Sequence, residues 1–447
     1  LGVVDATLLV IGSIVGGGIF LVAHDVAQTV GSSAAFLGAW ALGGAVALAG
    51  ALSNAELGGT FPRSGGEYVY LREAYGSGLG FLSGWTSFWI GFPGSIAALA
   101  SGFGSTISSL SGARASWVPR VVGCAVIVAL TVVNACGLRP GKWVNNLLAG
   151  TKLAAFAALL ALGFLVPGRG LEGAAPAPIA SAATSWHGMG DALVPILFAY
   201  SGWNAATYIV GEMRDPARTL ARALALGTAA CIVLYLAINA TYLRAIPLAE
   251  LAATHDSPAR LAAERLGGAG TAALLTPLVA LCVLSSLQSM MLVGPRIYQA
   301  MARDGLFFEA LGRVQPGTRV PLIGLWAQGA VAIVEFLTGS FGQLTAFAMF
   351  SIVAFSALTV AAVVVLRIRR PAAPRPFRVP GYPLVPALFV LVNGWLLWSE
   401  LTGPYLVDAL EGLAIVATGI PAYALFRARA SRPLSPHGAR PPVETSQ

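Results

Sequence analysis

Between Val10 and Phe20 the chain reads VIGSIVGGGIF, with Gly16, Gly17 and Gly18 consecutive inside an otherwise apolar stretch. A glycine in a helix interior costs about 1 kcal/mol relative to alanine, so three in a row predict an interrupted helix. A second interruption stands in ILFAYSGWNAATYIVGEMRDPARTL, where Ser201 and Gly202 sit mid-segment beside Tyr200 and Asn204. A third feature is Lys152, in NNLLAGTKLAAF. It lies about nine residues into an apolar segment, hence roughly 13 Å deep at the helical rise per residue. Ionisable groups at such depth mark functional sites; the plainer reading is a packed lysine beside a water cavity. The chemistry on offer is binding by opened backbone rather than bond-making. No Ser/His/Asp, HExxH or phosphate-loop pattern occurs, and the four cysteines lie in apolar segments without metal-ligand spacing. They read as small core residues. No enzyme, cofactor or metal is expected.

The elements that must position these residues follow from composition. Hydrophobic residues make up 56% of the 447 and charged residues only 10%, with mean hydropathy +0.76. Soluble domains average about 25% charged. Apolar runs long enough to cross a hydrocarbon core of about 30 Å recur along the chain. Twelve spans are predicted. The first six are Val3–Ala23, Ala34–Gly58, Leu79–Ser105, Val118–Gly137, Trp143–Val166 and Met189–Gly211. The others are Ala223–Leu243, Thr271–Met301, Leu322–Leu337, Phe341–Leu366, Leu384–Leu401 and Tyr405–Phe426. No alternation of short strands suggests a barrel. No small-residue cleavage site follows the first segment, so it is not read as a signal peptide. Because the chain starts at Leu1, a short preceding segment is expected.

With the N-terminus cytoplasmic, 19 Lys and Arg residues fall in inside loops and tail against 6 outside. That bias places both termini inside. It also accounts for the net charge of +8, leaving no reason to invoke nucleic acid.

The interrupted segments are the first and the sixth, which correspond if the chain is two five-helix units. Five being odd, the halves run in opposite directions across the membrane. Broken helices at matching places in inverted halves mark a secondary transporter with a midplane site. Each glycine cluster taken alone would equally fit close helix packing. The expected organisation is an all-α membrane protein. Residues 1–366 form its ten-helix core, with repeats 1–166 and 188–366, and 367–426 add two helices. Residues 427–447, rich in Pro, Arg and Ser, are expected to be a disordered cytoplasmic tail.

At this point the sequence resembles the amino acid–polyamine–organocation superfamily, closest to its L-type amino acid transporters and their bacterial exchanger relatives. The carrying motifs are IGSIVGGGIF, AELGGTFPRSGGEYVYLREAYG, GWTSFWIGFPGSIAALA, FAYSGWN with EMRDPAR, RIYQAMARDGLF and RPFRVPGYPLVP. Each is weak alone; their order and spacing are specific. The resemblance implies transport of L-amino acids across the cell membrane by alternating access, as sodium-independent exchange. A proton- or sodium-coupled symporter and a polyamine antiporter are the alternatives, with a channel or membrane enzyme remote.

It also implies roles for residues. Opened N–H groups around Ile14, Gly16, Gly17, Gly18 and Ile19 would hold a substrate carboxylate, as a helix N-terminus favours anions. Carbonyls around Phe198, Ala199 and Ser201, with Gly202 and Asn204 beside them, would accept the ammonium. Phe198 would be an aromatic lid. Lys152 would occupy the place of a sodium ion between the first and eighth helices, with Ser286 as the eighth-helix hydroxyl. Many relatives carry Ser or Thr where Gly17 stands, so one hydroxyl donor is absent. The loop STISSLSGARASWVP holds no cysteine for a disulfide-linked heavy chain, so none is expected, and the carrier is read as a monomer or weak homo-oligomer. Glu335, in AIVEFLTG, reads as an interfacial carboxylate. Substitution at Gly163 is expected to be milder than at Gly18.

Overall fold

A computed structural model describes residues 1–113, 115–165, 186–254, 257–339, 341–402 and 406–430. In lipid, each backbone polar group must be satisfied within its own segment. The described residues accordingly form helices and no strand. In chain order these are α1 (Val3–Ile14), α2 (Gly18–Leu21), α3 (Ala23–Thr29), α4 (Ser33–Thr60), α5 (Glu67–Tyr75) and α6 (Ser77–Thr86). There follow α7 (Phe92–Ser111), α8 (Val118–Ala135), α9 (Leu138–Leu165), α10 (Trp186–Ala199), α11 (Pro216–Ala245) and α12 (Leu248–Ala253). The last are α13 (Pro258–Val293), α14 (Pro295–Arg303), α15 (Leu322–Thr338), α16 (Phe341–Arg369), α17 (Leu384–Thr402) and α18 (Leu406–Ala430). Nine stretches among the described residues are long and apolar enough to cross a membrane by length and composition. The protein is a multi-pass helical membrane protein.

Local sequence explains the departures from regular helix. The segment expected as one span from Val3 to Ala23 is α1, an opened turn at Val15–Gly17, then α2 and α3. The sixth is α10 as far as Ala199, a turn through Asn204, and a tight 3₁₀ stretch over Ala205–Glu212. Between α6 and α7 the helix widens into a π turn at Ser87–Gly91. Pro93 just beyond it has no N–H to return to the preceding turn. The eighth helix starts at Pro258, well before the expected Thr271. Arg260, Glu264 and Arg265 lower the hydropathy of its first turns without preventing helix formation. It kinks at Gly268, where φ is +75°, and gives way to α14 at Gly294–Pro295. At the C-terminal end, Arg427–Ala430 continue α18 rather than opening the expected tail; residues 431–447 lie outside the described residues.

Small residues let the helices approach closely. A Cβ at Gly43 of α4 would stand 2.3 Å from Ile196 Cγ2 of α10, and one at Gly227 of α11 would stand 2.8 Å from Val10 of α1. Polar pairs tie the scaffold together. Asn134 of α8 and Gln288 of α13 exchange amide hydrogen bonds, and Gln288 also donates to the Gly141 carbonyl of α9. Ser289 donates to Asn145 at 2.9 Å.

Candidate functional site

The two interruptions meet. A Cβ at Gly18 would lie 3.2 Å from Ala199 Cα, and one at Gly202 would lie 2.9 Å from the Ser13 carbonyl oxygen. Gly202 has φ +94°, a left-handed conformation that glycine adopts without steric cost. No bulkier residue could hold both that angle and that contact. Backbone is therefore pressed on backbone where α1 and α10 open.

A cavity of about 670 Å³ lies against these breaks. Nine of the ten residues expected to bind substrate line it: Ile14, Gly16, Gly17, Gly18, Phe198, Ala199, Ser201, Gly202 and Asn204. Ile19 does not; its side chain is fully buried in the core, so only its main chain is near the opened turn. Ser286 also lines the cavity. Toward one end the walls continue through Ser105, Thr106 and Ser109 at the end of α7 and Ala259 and Arg260 at the start of α13. Toward the other they close over Glu67, Asn204 and Tyr208. Beyond that floor, Gly65 N–H donates to the Tyr208 carbonyl, and buried Arg296 holds Glu212 at 3.0 Å.

Lys152 faces the opened end of α1 rather than the cavity. It is fully buried, and its ammonium donates to the Val15 carbonyl at 2.6 Å and to the Gly12 carbonyl at 3.2 Å. Ser286 Oγ donates to the same Gly12 carbonyl at 3.0 Å and lies 3.5 Å from Val15 O. The C=O groups that the break leaves without helical partners are thereby capped by a cation from α9 and a hydroxyl from α13. Ser286 Oγ would also stand 3.2 Å from a Cβ at Gly16.

Two residues here escaped the reading of the sequence. Tyr235 of α11 is fully buried, and its hydroxyl lies 3.0 Å from both the Ile14 and the Ala199 carbonyl oxygens, the last helical residues before each break. One hydroxyl proton serves one carbonyl at a time, so Tyr235 bridges the two helix ends. In sequence it is one aromatic in an apolar run. Glu67 sits in the quoted motif SGGEYVY, but nothing local distinguishes it from a solvated first-turn acid. Glu335 is half-buried on α15 and has one oxygen buried without a partner among the described residues.

Comparison with known proteins bears on what such an arrangement does. The family model described as "Amino acid permease" matches residues 1–401. The serine/threonine exchanger SteT of Bacillus subtilis is 32% identical over 428 residues, covering 95% of each chain. The Asc-type amino acid transporter 1 of Mus musculus is 29% identical over 452 residues, covering 98% of this chain and 83% of its own. The large neutral amino acids transporter small subunit 2 of Homo sapiens is 28% identical over 441 residues, covering 95% and 80%.

Proposed function

The chain belongs to the amino acid permease family, and on that premise we propose that it carries L-amino acids across the cell membrane by alternating access. It takes one amino acid in exchange for another and does not use sodium. The observation that carries this reading is the meeting of two opened helices on one cavity. At α2 the opened turn offers N–H groups at Gly17, Gly18 and Ile19, suited to a carboxylate. At the end of α10, carbonyls from Phe198 to Ser201 suit an ammonium. A zwitterion is then held at both ends by backbone dipoles, with no charged side chain at the contact. Phe198, partly exposed on the cavity wall beside Gly18, is the lid that closes over the occupied site.

Sodium independence rests on Lys152. A buried ammonium on the carbonyls of Gly12 and Val15 fills the position where a bound cation would otherwise bridge α1 and α13. The finer architecture belongs to the same proposal. Twelve spans form two inverted halves of five, 1–166 and 188–366, with α17 and α18 outside them and both termini cytoplasmic. One relative is named a small subunit, yet the loop after α7 has no cysteine here. That supports a carrier without a disulfide-linked partner.

The test is counterflow in proteoliposomes. Labelled serine, chosen because one relative is named a serine/threonine exchanger, should enter faster when the lumen holds unlabelled serine. The rate should be equal in sodium and in choline buffer. Uptake that needs sodium, or that ignores the lumenal amino acid, refutes exchange and favours a symporter.

A further inference from the structure

Among the described residues lining the cavity, Glu67 is the one carboxylate and Arg260, at the opposite end, the one base. Glu67 begins α5, in the connection between α4 and α6, and is only 7% exposed. Its Oε1 accepts from Asn204 Nδ2 just past the α10 break and from Ser356 Oγ of α16, each at 2.9 Å. One carboxyl thus joins three elements beneath the site: the connecting helix, the opened segment and α16. Separating any two of them breaks a bond to it.

Among the described residues no cation neutralises that carboxyl. Tyr70 on its own helix and Tyr208 after the α10 break are the titratable groups close enough to feel its charge. Of the elements packed against α5, α6 brings no titratable side chain. From α14 come Arg296, paired with Glu212, Tyr298, bonded to Gln328, and exposed Arg303. From α16 come Arg367, paired with Glu56, and Arg369, bonded to the Ala74 carbonyl. Arg72, five residues along α5, pairs with Asp304. Among the described residues no Lys, Arg or His pairs with Glu67. Burial outweighs its two hydrogen bonds and pushes the carboxyl up to about 7.

We propose that Glu67 is a proton-linked gate. The floor of the cavity closes around the protonated carboxyl, and it opens as the carboxylate, lacking a counter-charge, draws in water from the far side. This deepens the transport reading and rests on it. The sign follows from linkage. The carboxyl sits near 7 in the closed floor against 4.5 for an ordinary glutamate, so the closed form binds the proton more tightly. Acid favours the closed floor, and the closed-to-open ratio should rise about tenfold between pH 8 and pH 6.

Serine counterflow at equal pH on both sides, from about pH 5.5 to 8.5, reads this directly. Wild-type exchange should fall about tenfold from pH 8 to pH 6. Glu67→Gln, permanently neutral, should be flat and as slow as wild type in acid, whereas Glu67→Asp should keep the pH limb. Ser356→Ala removes a donor that favours the charged form, so its midpoint should move to higher pH. A Glu67→Gln variant that keeps the wild-type limb, or a Ser356→Ala midpoint that stays or falls, overturns the gate. Exchange that is present but flat in wild type overturns the gate alone. Exchange absent at every pH overturns the transport reading and the gate with it.

Discussion

Replacing Tyr235 by phenylalanine removes one oxygen atom and leaves the ring in its packing. That oxygen stands 3.0 Å from the last helical carbonyl on each side, Ile14 and Ala199. Since its single proton serves one acceptor at a time, the loss is one hydrogen bond, not two. A hydrogen bond in a protein contributes about 1 kcal/mol net, and between membrane helices the measured average is about 0.6. With 1.4 kcal/mol per tenfold, the arrangement in which both helix ends converge should lose roughly 3- to 5-fold in population. Initial rates of serine counterflow, fitted for KM and maximal rate, would show the loss. Tyr242, two turns along the same helix, is the internal control. It is equally buried, but its hydroxyl has no partner among the described residues. Tyr242→Phe should leave exchange unchanged and thermal stability equal or higher, since an unsatisfied polar atom is removed. Wild-type rates within twofold for Tyr235→Phe, or an equal loss in both variants, would refute the bridge.

Lys152→Ala should abolish most exchange while the protein still reaches the membrane, because the carbonyls of Gly12 and Val15 lose a charge-assisted partner; surface labelling and counterflow check both halves. Gly18→Val should eliminate transport, its Cβ falling 3.2 Å from Ala199 Cα, whereas Gly150→Val, with nothing within 4 Å, should transport as wild type. Phe198→Ala should slow exchange about tenfold or more while serine still raises thermal stability, as expected of a lid that governs turnover. Phe198→Leu that exchanges like wild type would instead make the ring a packing residue.

The broken helices were legible because three glycines in a row oppose helix formation inside a run otherwise suited to it. Lys152 was legible because a charge so deep is costly unless buried acceptors hold it. The multi-pass character was legible as well, since hydropathy alone settles that. The sequence did not reveal where α13 begins, because charged first turns hide a helix from hydropathy. Nor did it reveal Tyr235 or Glu67. Their roles depend on partners 221 residues away for Tyr235 and Ile14, and 289 for Glu67 and Ser356. Gly163, expected to take substitution more mildly than Gly18, has Thr241 Cγ2 2.6 Å from where a Cβ would stand. Its neighbour comes from α11, and no local pattern announces it.

The Lys152 ammonium has a thermodynamic meaning apart from its hydrogen bonds. A positive charge fastened to the chain by a four-carbon stem never leaves with the solute. It supplies the local field of a bound ion but has no concentration on either side, and hence no chemical potential to spend. On the exchange reading proposed above, that position brings no solute cation of its own to the cycle. The driving force is then the gradient of the amino acid moving the other way, and the tether makes this position a fixed strut.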